Sequence, residues 1–455
     1  FPYYHFPYTY YLTQDSFHFG VGQFNHGFRT PSSIFYLNSL FYLPFAEYYL
    51  FNLTPIYILG FANIIFLKKI HNFFWYLNFD KSFSQRINNI NYLSLLSFIF
   101  INIFFYRISE HGTDRSAQIL ILIFIILTLE FLNSKRNEKL SLVYIYILIG
   151  LIISLKAFYV LYLVLFIPIF YFIYEKNKQI FLCFKFFFIN KYFLYLSVLI
   201  FFVIGTYFIN TGCIIYPVSF TCFQNLSWAI PISEVNLMNN WYELWSKAGA
   251  NPNFRVDNQE IYIQKFNWVN HWIDNYFFNK VSDFFGGIIL LSIIFIFFFI
   301  KPNKNKKKLI INKFSLITYL LLFILAFEWF YNHPALRYGG YCIFALIIFI
   351  PLSTYLDTYK INKKKFSTSV FILIFLTSII FLGRNLNRIS KEIEVYNYKP
   401  ISETFYKLDE NHFRIEVQMN ELLKNYEKCE TLNENCNLVS KRINKKFGKI
   451  IFLNN

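Results

Sequence analysis

The chain has 455 residues, of which 56% are apolar, 23% aromatic and only 15% charged, with 61 Phe and 36 Tyr. A soluble domain carries roughly 25% charged residues, and disordered chains are poor in aromatic side chains, so this composition excludes both a single water-soluble globule and intrinsic disorder. The formal net charge is nevertheless +17, and where that charge sits decides what it means.

In chain order, residues 1–48 form a polar, aromatic segment (FPYYHFPYTYYLTQDSFHFG at its start) that opens on Phe1 with no preceding span, and it reads as a fragment that has lost at least one upstream helix. A helix needs about 20 mostly apolar residues to cross the hydrocarbon core. Runs of that kind follow at 49–67, 88–106, 116–133, 139–155, 157–174, 192–209, 284–300, 314–332, 338–357 and 366–383. Lys156 divides 139–174 into a hairpin of two short spans. The prediction is an all-α polytopic membrane protein of about ten helices over 49–383, interrupted by a long loop at 210–283. A small, charged, α-rich tail domain is predicted at 384–455, with helical apolar spacing at Ile415, Met419, Leu422 and Leu423.

The charge sorts by loop. The connections 68–87, 134–139, 175–191, 301–313 and 358–365 hold 21 basic side chains against three acids, Asp80, Glu138 and Glu175. The rest of the chain is nearly neutral. These connections alternate, so all five lie on one side, and short loops rich in Lys and Arg stay cytoplasmic. The net charge is therefore a topology signal and not a mark of nucleic-acid binding, for which a continuous basic surface is needed. The other side, extracytoplasmic, receives 1–48, the loop 107–115, the turn at Lys156, the loop 210–283, the turn 333–337 and the tail.

On that outer side the polar residues collect. Five of the seven Trp (Trp228, Trp241, Trp245, Trp268, Trp272) lie in the long loop, where they serve either as an interfacial belt or as stacking surfaces for a sugar. Cys213 and Cys222 share that loop, and Cys429 and Cys436 share the tail; two close pairs in an oxidising compartment predict disulfides. No His stands at ligand spacing from either pair, so no metal site is assigned to them. Asp15, His5, His26 and Arg29 in the first segment, Glu110, Asp114 and Arg115 in RISEHGTDR, Lys156, and His333 and Arg337 in WFYNHPALRY all fall on one membrane face. Carboxylates there suit general-base work on an acceptor hydroxyl, while Lys and Arg suit a leaving phosphate.

The segments GQFNHGFRTPSSIFYLNSLFYLP (22–44), YRISEHGTD (106–114), SLKAFYVLY (154–162), GCIIYPVSFTCFQNLSW (212–228) and HPALRYGGY (333–341) resemble those of GT-C-type membrane glycosyltransferases and of a poorly characterised bacterial polytopic group near them. The resemblance implies transfer of a sugar from a polyprenyl-phosphate donor to an envelope acceptor at the periplasmic face of a bacterial inner membrane. It implies a catalytic acid in the first outer loop, for which Asp15 is the only acid within 1–46. Glu110 and Asp114 would serve the acceptor or a divalent cation, Lys156 and Arg337 the phosphate, and His5, His26, Arg29, Arg115 and His333 the substrate more generally. The alternatives are a transporter or flippase of a lipid-linked saccharide, which calls for ionisable groups at mid-membrane depth, and a non-catalytic membrane scaffold.

Overall fold

The computed structural model describes residues 3–79, 89–108, 112–133, 139–251, 256–300, 312–359, 363–397, 399, 408–432, 436–439, 442–446 and 448–454. A short helical segment comes first, α1 (His5–Gln14) and α2 (Ser33–Ser39), followed by α3 (Leu53–Phe79), α4 (Asn89–Phe104), α5 (Gly112–Asn133) and α6 (Lys139–Leu155). A 3-10 stretch, Ala157–Leu165, runs into α7 (Phe166–Asn177), and then come α8 (Ile180–Phe188) and α9 (Lys191–Thr211). The long loop folds as α10 (Ile232–Lys247), α11 (Gln259–Ile263) and α12 (Val269–Trp272), which passes through a π-helical turn into α13 (Ser282–Phe299). The chain continues through α14 (Lys313–Asn332), α15 (Gly340–Asp357), α16 (Lys363–Tyr396), α17 (Glu410–Leu432), α18 (Cys436–Val439) and a hairpin of β1 (Ile443–Lys446) and β2 (Lys449–Phe452).

Among the described residues eight helices are long and apolar enough to cross a membrane, and Asn89–Phe104 and Leu142–Leu155 are shorter apolar helices beside them. The protein is an all-α, multi-pass membrane protein. The span of α5 is 78% buried, against half or less for every other span-length helix. Its run QILILIFIILTLEFL is apolar on every face, which suits a helix surrounded by others, and it packs against α3, α4, α6, α7, α14 and α15. Whatever α5 carries at its ends is therefore held by most of the bundle.

Two predicted boundaries move. The helix predicted from 284 begins at Val269, and α16 does not stop at 384 but runs on to Tyr396. Past Gly383 the sequence RNLNRISKEIEVY contains neither Gly nor Pro, and Arg388 and Glu392 face each other one turn apart at 3.8 Å. A helix of 34 residues is about 50 Å long, well over the roughly 30 Å hydrocarbon core. The tail beyond it is also not purely helical, since it ends in the β1–β2 hairpin. As predicted, Ile415 and Met419 are buried on α17.

The tail docks on the first segment. Phe6 and Tyr10 of α1 meet Phe413 of α17 with ring centroids 5.4 and 5.3 Å apart. Phe19 donates its N–H to the Ile450 carbonyl at 3.1 Å and accepts from the Phe452 N–H at 2.9 Å. Gly20 makes this approach work: its φ is +77°, and a Cβ there would lie 2.3 Å from the Phe452 carbonyl oxygen. Residues 3–50, the α10–α12 region and the tail thus gather over one end of the bundle.

Between α3 and α4 the Asn63 and Asn102 amides exchange two hydrogen bonds, at 3.2 and 2.7 Å. Polar pairs inside a membrane bundle contribute around 0.6 kcal/mol each, up to about 1.7. Asn102→Leu is expected to lower thermal stability in detergent by about 1 kcal/mol, and Asn63→Leu/Asn102→Leu to recover much of the loss. Strict additivity of the two changes would show that the amides are not coupled.

Candidate functional site

A cavity of about 540 Å³ opens where residues 3–50 and the 210–283 region meet the bundle. Beneath its lining lies Asp114 on the first turn of α5, a buried residue only 1% exposed. Oδ1 of Asp114 accepts from Lys156 Nζ, and Oδ2 accepts from Arg337 Nε at 2.8 Å and Nη2 at 2.7 Å. Three separate pieces of chain converge on this one carboxylate. Lys156 sits in an extended break (φ −158°, ψ 116°) between α6 and the 3-10 stretch, and Arg337 lies in the 3-10 turn between α14 and α15. The α5 N-terminus adds its positive dipole end beside the Asp114 charge.

The Arg337 turn is pinned from all sides. Gln118, one helical turn after Asp114, donates to the Arg337 carbonyl at 2.9 Å and accepts from the Cys342 N–H at 3.0 Å. Trp272 Nε1 donates to the Pro334 carbonyl and Trp329 Nε1 to the Ala335 carbonyl, both at 2.9 Å. The Leu336 N–H donates to Tyr276 Oη at 2.9 Å. The guanidinium then lies over the Trp245 and Tyr338 rings at 5.3 and 5.5 Å, and Lys156 Nζ lies 4.3 Å from the Tyr338 centroid. Such cation–π contacts fix orientation without neutralising charge.

While the Asp114 side chain is 2% exposed, those of Lys156 and Arg337 are 28% and 40% exposed, and both line the cavity. Two cations share one anion buried behind them, so positive charge is left facing the cavity. Asp114 holds the Arg337 guanidinium far above its ordinary range; burial pushes the Lys156 ammonium down, and Asp114 opposes that push. Burial, helped by Lys156 and Lys247, brings the His333 imidazole down to about 4.

The other walls are aromatic and apolar: Tyr3, Tyr4, Tyr216, Trp241, Trp245, Phe158 and Leu161 among them. Gly27 allows one of them, because a Cβ at Gly27 would lie 2.2 Å from Tyr4 Cγ. The Cys213–Cys222 disulfide closes the loop that supplies Tyr216 and Val218, and Cys429–Cys436 is joined as well. Cys183 and Cys342 are free and buried.

Of the residues singled out in the sequence, His26, Lys156, His333 and Arg337 line the cavity, and Asp114 lies directly beneath it. His5 stacks edge-on against Tyr4, with centroids 4.4 Å apart, behind the cavity wall, and burial lowers its imidazole to about 3. Arg29 is spent on structure, donating to the Gly22 carbonyl at 2.8 Å and pairing with Glu234 at 2.9 Å. Arg115 donates to the Arg107 carbonyl at 2.9 Å and is not a lining residue. Asp15 ends α1 beside the tail, where burial and the Asp15 charge raise the Glu416 carboxyl, and it does not reach the cavity. Glu110 lies outside the described residues. A divalent cation does not fit at Asp114, whose two oxygens already face Lys156 and Arg337, and among the described residues no group of three His, Cys, Asp or Glu could hold a metal.

Of the five Trp between 210 and 283, Trp241 and Trp245 line the cavity, whereas Trp228 donates to the Phe208 carbonyl at 3.0 Å, Trp268 is fully buried and Trp272 braces the Arg337 turn. Sequence reasoning passed over Gln118, Tyr4, Tyr338 and the role of Glu328, which also lines the cavity. Gln118 was visible as an amide four residues after Asp114 in an otherwise apolar helix, and hence on the same face.

A family described as "Domain of unknown function (DUF8201)" matches residues 2–344. The chain belongs to this DUF8201 family. The matched region contains every residue lining the cavity, from Tyr3 to Tyr338, and leaves α16 and the tail outside it. Neither a curated protein nor a solved structure matches the chain.

Asp114→Asn keeps the side-chain shape and removes the charge shared by Lys156 and Arg337. Removing one member of a buried pair costs about 3 kcal/mol when the partners keep some hydration, so a loss of unfolding free energy in detergent of that size is expected; a loss under about 1 kcal/mol would show that the three charges are not coupled. The folded state holds His333 below its ordinary 6.5, so the unfolded chain binds more protons between the two values. Its contribution to stability is full above about pH 6.5 and is lost as pH falls toward 4. His333→Gln is expected to flatten the decline in melting temperature between pH 7 and pH 5, and an unchanged slope would contradict this.

Proposed function

We propose that this DUF8201 protein is a membrane glycosyltransferase that moves a sugar from a polyprenyl-phosphate-linked donor to a cell-envelope acceptor at the periplasmic face of a bacterial inner membrane. The observation that carries the reading is the pair Lys156 and Arg337, presented to an aromatic and apolar cavity by one buried carboxylate. A lipid-linked sugar phosphate has three parts, a sugar, an anion and a hydrocarbon chain. The cavity offers aromatic faces (Trp241, Trp245), two fixed cations and apolar wall residues (Phe158, Leu161) for them in turn.

In this reading the chain crosses the membrane ten times, with α4 and α6 as short spans, and the basic connections are cytoplasmic. The charge at the other end of the bundle supports that orientation. Lys69 pairs with Glu130 and Lys313 with Glu175, both at 2.5 Å, and Glu130 lies 16 residues, or about 24 Å, along α5 from Asp114. The α10–α12 region and the tail then lie outside, with both disulfides in an oxidising compartment.

As mechanism, Asp114 is a positioning residue and not the base, since two cations on a carboxylate weaken its basicity. It holds Lys156 and Arg337 where charge develops on the departing phosphate, the arrangement by which preorganised cations lower a barrier. A transporter is less well supported, because among the described residues the ionisable side chains in the spans lie near helix ends, such as Asp114, Glu130 and Glu328.

The test is transfer from a panel of synthetic polyprenyl-phosphate hexoses by full-length protein in nanodiscs carrying envelope lipid and glycan acceptors. Lys156→Ala and Arg337→Ala are each expected to lower turnover about 100-fold, comparable with loss of one transition-state donor. Full activity in both variants, or none in the wild type with any donor, would overturn the reading.

A further inference from the structure

The geometry points to Glu328 as the general base of this site, the group that takes the proton from the acceptor hydroxyl. The inference rests on the glycosyl-transfer reading and names the residue that reading leaves open. Glu328 is the one carboxylate lining the cavity among the described residues. It sits on the last turn of α14, five residues before His333, and so shares the cavity with Lys156 and Arg337 while belonging to a different element from Asp114.

Every other described carboxylate near the site is committed elsewhere. Asp114 has a cation on each oxygen, Glu234 is paired with Arg29 at 2.9 Å, and Glu243 is paired with the buried Lys247 at 2.5 Å. Glu328 differs in kind. Its Oε1 accepts one neutral hydrogen bond, from Asn332 Nδ2 at 3.0 Å, which fixes the carboxylate without charging its surroundings. No cation is paired with it among the described residues. The imidazoles of His333 and His26 are the competing bases in the cavity, but burial with Lys156 and Lys247 holds His333 down at about 4, and burial with Arg29 lowers His26, so both accept a proton weakly.

The step balances as follows. The acceptor oxygen forms a bond to the anomeric carbon, and the bond from that carbon to the phosphate oxygen breaks, leaving its electron pair on the polyprenyl phosphate. The hydroxyl proton passes to Glu328 and then to water, while Lys156 and Arg337 meet the second negative charge on the phosphate. Anion binding and proton abstraction are thus divided between two parts of one cavity, and separate substitutions should separate them.

The experiment compares full-length wild type, Glu328→Gln, Glu328→Asp and Arg337→Ala in nanodiscs, measuring binding of sugar-free polyprenyl phosphate and turnover at saturating donor. Glu328→Gln is expected to bind polyprenyl phosphate within twofold of wild type and to lose at least 100-fold in kcat, in the range for removal of a general base. The acidic limb of the wild-type pH–kcat profile should vanish with that loss. Glu328→Asp, which keeps a carboxylate and tests against simple misfolding, should restore at least a tenth of the rate and the acidic limb. Arg337→Ala should lose binding. Glu328→Gln turning over at more than a tenth of wild type would overturn the assignment while leaving the glycosyl-transfer reading standing. Wild type that neither binds polyprenyl phosphate nor transfers would overturn both.

Discussion

One buried carboxylate organises the functional end of this protein. Asp114 sits at the tip of the most enclosed of the span-length helices, and an isolated charge there would be prohibitively costly. It is tolerable because Lys156 and Arg337 come to it from two other parts of the chain. The requirement works in both directions. The anion ties the α6–α7 break and the α14–α15 turn to α5, and the cations it fixes keep an outward face to the cavity. Gln118, Trp272, Trp329 and Tyr276 then hold the Arg337 turn by its backbone, so the guanidinium is aimed by a frame and not by its own flexible stem.

The cavity beside that frame is walled largely by aromatic side chains. Tyr and Trp wall the cavity with an apolar body and a polar tip. Several Tyr and Trp polar tips are hydrogen-bonded, as where Tyr8 Oη meets Tyr36 Oη at 3.0 Å and accepts from Asn210 Nδ2 at 2.8 Å. The tail strengthens the same cap. Its α17 and hairpin cover α1 and Phe19, and a strand pair too short to stand alone gains a partner there.

Much of this was legible in the sequence, and for identifiable reasons. Apolar runs of span length are hard to misread, and helices occupy all ten predicted runs among the described residues. Lys156, His333 and Arg337 stood out because charged or polar residues at the rim of apolar helices are costly unless they have work or partners. What the sequence hid was convergence. Nothing in SEHGTD says that Asp114 faces a Lys 42 residues later and an Arg 223 residues later, or that the equally conspicuous Arg29 is turned to structural contacts while Asp15 does not line the cavity. Glu328 was given no role because, within EWFYN, it reads as a charge near the end of a span. The end of α16 was misjudged because composition changes at Arg384 while helix propensity does not.

The account stands on the claim that Lys156 and Arg337 form an anion site for a lipid phosphate. Electron cryomicroscopy of the full-length protein in nanodiscs with a polyprenyl phosphate addresses it directly. The account predicts phosphate density in contact with both Lys156 Nζ and the Arg337 guanidinium, with Asp114 still paired beneath them and the hydrocarbon chain running along Phe158 and Leu161. Density for the lipid elsewhere, with the Asp114 cluster bare of phosphate at saturating ligand, would contradict it.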